Sequence, residues 1–187
     1  MQRLLGSFLR SKKDFDGALS EYADVSRLKP SLSEAYNQRA GILEEEGHVQ
    51  AAIQEAKKGT EVDPSYVPVR YTLFKLLKNQ GDWEGGMTQL REAAALNPNN
   101  PFLFISMADS LRLKGDVDGA IAVLRRGIQN SPGWATYHYF LGELLEQKGN
   151  FKGALEEYQE VMKLSGGSPQ LEKKINHLGK KTKLNSE

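Results

Sequence analysis

Residues 98–132 read PNNPFLFISMADSLRLKGDVDGAIAVLRRGIQNSP. Leu103, Met107, Ala108 and Leu111 fall three or four apart, which lays one apolar stripe along a helix. Gly115-Asp116 interrupts that pattern, glycine supplying the positive φ that a helix C-cap or tight turn needs. A second stripe follows at Val117, Ala120, Ile121 and Leu124, and Pro132 disfavours helix at the residue ahead of it. The small Ala108 and Ala120 let the two helices approach closely. The stretch predicts helix, turn, helix.

Working outward, the same unit returns along the chain. Pro30, Pro64, Pro98 and Pro132 stand 34 residues apart. One column reads Leu9, Leu43, Leu77, Leu111, Leu145, and another reads Lys13, Gly47, Gly81, Gly115, Gly149. A third reads Ala18, Ala52, Gly86, Ala120, Ala154. Register holds from about residue 2 to 165, giving five copies at about 1–32, 33–66, 67–100, 101–134 and 135–168. A single helix pair cannot bury its apolar face, so neighbouring copies must stack. The expected fold is an all-α solenoid of antiparallel helix pairs, one domain over 1–182.

Departures from the columns carry expectations of their own. Copy three has Phe74 where the others have Gly6, Ala40, Ala108 and Gly142, and its helix B has Gly86 in place of alanine. Because cores conserve volume, the Phe74 ring is expected to use the space vacated at Gly86. Arg39 at an apolar helix A position and Ala56 at a large-residue position make copy two the least well packed. After Gly166-Gly167, Ser168-Pro169 reads as an N-cap followed by proline at the first helical position. Leu171, Ile175 and Leu178 then form a stripe with Glu172, Lys173, Lys174 and Asn176 outside, predicting a capping helix over about 168–180. Lys180, Lys181 and Lys183 begin a basic flexible tail over 181–187.

These columns resemble the tetratricopeptide repeat, with Leu141-Gly142, Leu145, Gly149, Phe151, Ala154 and Tyr158 of the last copy carrying the family pattern. The resemblance implies a right-handed superhelix whose A helices line a concave groove that binds an extended peptide or a helix. The groove columns then fall on Asn37, Gln38, Gly41 and Glu45 in copy two, and on Tyr71, Thr72, Lys75 and Asn79 in copy three. In copies four and five they fall on Phe102, Ile105, Ser106 and Asp109, and on Thr136, Tyr139, Phe140 and Glu143. Aromatic side chains on a solvent-facing concavity are favoured binding anchors; the alternative is that some of them pack between repeats. Lys75, Lys78 and Arg112 are placed to meet acidic flanks of a partner. The Lys/Asn clamp with which some members hold a chaperone's terminal carboxylate is not built in any register.

Composition narrows the classes further. Hydrophobic residues at 39% and charged residues at 26% argue for an ordered chain. A net charge of +1 gives no draw to nucleic acid or to an anionic membrane. The absence of cysteine removes disulfides, thiolate metal sites and thiol catalysis. The N-terminal apolar run is short, and no stretch approaches the ~20 apolar residues of a membrane span, so cytoplasmic is the default localisation. His48, His138 and His177 lack ligand spacing and are expected on the surface or in packing; no cofactor or metal is implied. Gly179-Lys180-Lys181-Thr182 lacks the upstream glycine and strand of a phosphate loop. Glu44-Glu45-Glu46 ends a helix A and reads as a solvated face, or else as an acidic patch on the inner surface.

The functional expectation is a non-catalytic scaffold for protein–protein interaction. Its groove residues would be Tyr71, Lys75, Lys78, Phe102, Ile105, Arg112, Tyr139, Phe140 and Glu143. Two alternatives are a self-assembling repeat, a homo-oligomer through the uncapped N-terminal edge, and the docking segment of a larger enzyme.

Overall fold

The computed structural model describes residues 2–184, and every regular element among them is an α-helix. Two compact units divide between Asn97 and Pro98. The first holds α1 (Gln2–Ser11), α2 (Phe15–Leu28), α3 (Ser33–Glu45), α4 (Val49–Val62), α5 (Val67–Asn79) and α6 (Trp83–Leu96). The second holds α7 (Pro101–Leu113), α8 (Val117–Asn130), α9 (Ala135–Gln147), α10 (Phe151–Ser165) and α11 (Pro169–Leu184). Each copy thus supplies one helix pair, as the 34-residue period requires. Within the units helix B of one copy packs on helix A of the next, α2 on α3, α4 on α5 and α8 on α9.

The glycine column is a backbone requirement. Gly47, Gly81, Gly115 and Gly149 have φ between 76° and 88°, and Lys13 takes the same left-handed conformation at 60°. The following residue, Asp14, His48, Asp82, Asp116 or Asn150, donates its N–H to the carbonyl of Leu9, Leu43, Leu77, Leu111 or Leu145 at 2.8–3.0 Å. That bond satisfies a carbonyl the helix end would otherwise leave open. The side chains of Asp14, Asp82, Asp116 and Asn150 then cap the next helix, accepting from the backbone N–H three residues on. His48 provides no such side-chain cap to α4.

Packing between the two helices of a copy sets a glycine against a ring in copies one and five. Gly6 and Gly142 lie where a Cβ would come within 2.9 and 2.7 Å of the rings of Tyr22 and Tyr158, both buried. In copy two Ala40 and Ala56, both fully buried, take the same two columns. In copy three those columns hold Phe74 and Leu90, and the small residue is Gly86, one turn ahead of Leu90. Phe74 is buried, and a Cβ on Gly86 would stand 3.1 Å from its carbonyl oxygen and 3.3 Å from its ring. Arg39, the apparent weak point of copy two, is half-buried with Nη1 3.0 Å from Glu55 Oε2, and Lys58 reaches the same carboxylate at 3.0 Å.

Arg70 and His138, 68 residues apart, do the same job in the two units. Arg70 Nε donates to the Pro64 carbonyl at 2.7 Å and Nη1 to Gln89 at 3.1 Å. His138 has its ring nitrogens 3.4 Å from the Pro132 carbonyl and 2.7 Å from Glu157. Each ties the proline turn to helix B of its own copy, so His138 has a packing role.

Three expectations are corrected. The last helix runs on to Leu184, so 181–184 are helical and not a tail; Lys181 Nζ sits 4.9 Å from the centre of the Phe151 ring. Residues 185–187, and the Lys183 side chain, lie outside the described residues. The acidic run is not simply solvated: Glu44 pairs with Lys75 at 3.2 Å, and Glu45 accepts from Arg10 across copies one and two. Lys174, expected on the outside of the capping helix, turns inward.

Candidate functional site

α7 and α9 lie side by side over α8, and their facing residues enclose a pocket of about 290 Å³. Its floor is apolar, from Ala108, Leu124 and Leu144, all buried. Ile105 and Phe140, both half-buried, form its walls. The rim is polar, with Asp109, Arg112, Glu143 and Gln147. The i, i+3, i+4 spacing on each helix explains the arrangement, since 105, 108, 109 and 112, and 140, 143, 144 and 147, share one face. Four of the nine expected groove residues, Ile105, Arg112, Phe140 and Glu143, therefore meet in one place.

At the rim, Arg112 is held by its own helix, Nη2 lying 2.6 Å from Asp109. Glu143 faces the capping helix instead, where Lys174 Nζ stands 3.4 Å from it and 3.4 Å from Glu146. The same ammonium lies 5.4 Å from the Tyr139 ring centre and 4.7 Å from that of Tyr158, within cation–π range. Tyr158 donates its hydroxyl to Glu146 at 3.1 Å. Burial of Lys174 works to lower its pKa, but the Tyr158 hydroxyl and then Glu143 and Glu146 outweigh it, leaving the pKa above the ordinary lysine value. Burial, and then the Glu143 charge, push the Tyr139 hydroxyl up.

Tyr139 is consequently a wall of this cluster as well as an exposed ring. It packs edge-on to Phe140 at 6.1 Å and tilted to Tyr158 at 5.8 Å. Phe102, 71% exposed at the start of α7, does not line the pocket. In the first unit Tyr71 is exposed and leans on Phe74 at 5.7 Å. Lys75 is taken by Glu44, and Lys78 Nζ lies over the Phe74 and Trp83 rings at 5.3 and 5.9 Å. Lys174 is the residue that sequence reasoning missed. Its signal was the period itself, because 174 is 34 residues beyond Phe140 in a groove column. Among the described residues no cluster of histidine and carboxylate side chains could hold a metal ion, and no helix is long and apolar enough to cross a membrane.

Comparison with known proteins agrees with this architecture. A family profile described as tetratricopeptide repeat matches residues 71–133 and 105–169, and a second with that description matches 33–66. No curated protein matches the chain. Among solved structures, the MamA protein shares 22% identity over 88% of this chain and 90% of its own, with a TM-score of 0.67. PilF of Pseudomonas aeruginosa shares 16% over 97% and 83%, with a TM-score of 0.69. YrrB, described as a TPR protein with an unusual peptide-binding site, shares 20% over 94% and 88%, with a TM-score of 0.61. At these identities the likeness is one of fold.

Proposed function

The chain belongs to the tetratricopeptide repeat family, whose folds serve as protein-interaction scaffolds, and from that premise we propose that its α7–α9 face binds a peptide or helix segment of another protein, without catalysis of its own. One observation carries this reading. The pocket combines an apolar floor with half-buried Ile105 and Phe140 and a charged rim, on the helix A columns where the resemblance puts a partner. Its volume is at the low end of the ~300–1,000 Å³ of small-molecule sites, which suits one or two side chains of a longer segment. Tyr139 and Phe102 add exposed aromatic area on the same unit, and Tyr71 offers a comparable anchor on the first.

The test is affinity capture from the native host's lysate, wild type beside an Ile105→Ser/Phe140→Ala variant whose helical circular dichroism is intact. A partner held by the first and lost by the second is the expected result. Equal capture by both would remove the site from this face.

A second reading, self-association through α1, draws support from a different surface. Leu4, Leu5 and Phe8 are exposed there. The four column mates of Phe8, Ile42, Leu76, Ser110 and Leu144, are buried, and three of them are apolar.

A further inference from the structure

Within each unit, two repeat columns face each other where one helix A lies beside the next. At these seams the first supplies Arg10, Glu44 and Arg112, and the second supplies Gly41, Lys75 and Glu143. Between α1 and α3, Arg10 lies across Gly41, where a Cβ would come within 2.9 Å of Nη2, and continues to Gln38 and Glu45. Between α3 and α5, Glu44 and Lys75 pair at 3.2 Å. Both seams are bridged by charge. Between α7 and α9 the same columns hold Arg112 and Glu143, opposite charges in the reverse order, and yet each is paired elsewhere, Arg112 with Asp109 and Glu143 with Lys174. This seam holds the pocket described above.

We propose that the unbridged α7–α9 seam selects a partner segment that places an apolar side chain in the pocket and a lysine or arginine directly beside it. The inference rests on the peptide-binding reading above and names the chemistry of the occupant. Charge balance decides the sign. Asp109 and Glu143 place two carboxylates on the pocket rim against one cation, Arg112, and behind the rim Lys174 is shared between Glu143 and Glu146. Arg112 is already neutralised by Asp109 at 2.6 Å, whereas one ammonium, Lys174, is divided between Glu143 and Glu146 at 3.4 Å each. The excess negative charge therefore sits on the Glu143 side of the rim. An incoming cation completes the pairing that Lys174 shares out, while an incoming carboxylate would have to draw Arg112 away from Asp109. Lys174 is a positioning residue here: it holds Glu143 on the capping-helix side and leaves the seam open for the partner.

The experiment uses the full chain and three fluorescein-labelled nonapeptides of glycine and serine, each with one central leucine flanked on both sides by lysine, by glutamate or by glutamine. Binding is read by fluorescence anisotropy at low salt. The lysine-flanked peptide is expected to bind about fivefold more tightly than the glutamate-flanked one, the size that exposed ion pairs support. In Asp109→Asn/Glu143→Gln that preference should fall to unity or reverse, with the glutamine-flanked peptide little changed. Equal or better binding of the glutamate-flanked peptide to the wild type overturns the inference. So does a lysine preference that survives in the double variant. Ile105→Ser should weaken all three peptides alike. If none of the three binds, or if Ile105→Ser leaves them unaffected, the peptide-binding reading itself fails together with the inference.

Discussion

At the scale of single residues, the turn between the helices of a copy shows how a column translates into a dihedral angle. Four of its five members are glycine with φ near 80°, and the fifth, Lys13, is forced to 60° by the same hydrogen bonds. A left-handed conformation costs a residue with a Cβ about 1–2 kcal/mol. Glycine avoids that cost but loses about 0.5–1 kcal/mol through its freer unfolded chain. Lys13 is exposed, so its side chain has little packing to lose. Lys13→Gly is therefore expected to stabilise the first unit by about 0.5–1 kcal/mol. Urea unfolding of the two chains measures it, through a higher midpoint at unchanged slope. A lower midpoint would mean that the left-handed turn is not what this column requires.

At the scale of the element, the exchange between Phe74 and Gly86 sets helix propensity against packing. Alanine is the better helix former by about 1 kcal/mol, so propensity alone favours Gly86→Ala. The added Cβ, however, would stand 3.1 Å from the Phe74 carbonyl oxygen and 3.3 Å from its ring. A backbone atom cannot swing aside as a side chain can, so α5 and α6 would have to separate. Overpacking of this kind costs about 1–3 kcal/mol, and Gly86→Ala is expected to lower the melting temperature. In a double-mutant cycle with Phe74→Ala, only the ring's share of the loss should be non-additive, because the carbonyl contact remains; a higher melting temperature for Gly86→Ala alone would sink the idea. The same contrast explains what sequence periodicity reveals. Helix boundaries are readable because glycine and proline columns impose backbone geometry. The apolar wall of the pocket is readable because Ile105 and Phe140 fall on an A-helix face. The partners of the charged residues are not readable, since Arg112, Lys75 and Lys174 each have several carboxylates within reach of a long side chain. Only the packed positions of α7, α9 and α11 decide that Arg112 turns to Asp109 and Lys174 to Glu143. Lys174 looks like a surface lysine because the stripe of Leu171, Ile175 and Leu178 marks one buried edge and hides the second.

At the scale of the whole molecule, association depends on which faces remain open and how they are charged. Between Leu171 and Thr182 the exposed positions of α11 are polar, Glu172, Lys173, Asn176, His177 and Lys180. Along α1 they include Leu4, Leu5 and Phe8, with Phe8 55% exposed while Ile42, Leu76 and Leu144 in its column are at 3% or less. Those mates are buried on helices against which the helix B of a preceding copy packs. Of the surfaces that this sequence itself supplies, a second α1 matches this face better than the outer side of α11, since apolar surface gains most from apolar surface. Arg10 is paired with Glu45, but Lys12 and Lys13, exposed just beyond the end of α1, would repel their counterparts across a parallel contact of this kind. Salt screens that repulsion and leaves the apolar gain intact, and a net charge of +1 adds no general barrier. Three side chains per copy make a small interface, well below the ~1,200 Å² of a stable one, so the association should be weak and concentration-dependent. Light scattering across a dilution series is expected to show a mass that rises with protein concentration, and rises further with salt. Phe8→Glu should hold the chain at the monomer mass throughout, because it places a charge at the centre of the contact. A wild-type mass that stays monomeric at every concentration and salt would rule out this contact. If Phe8→Glu associates as well as the wild type, the contact lies elsewhere than α1.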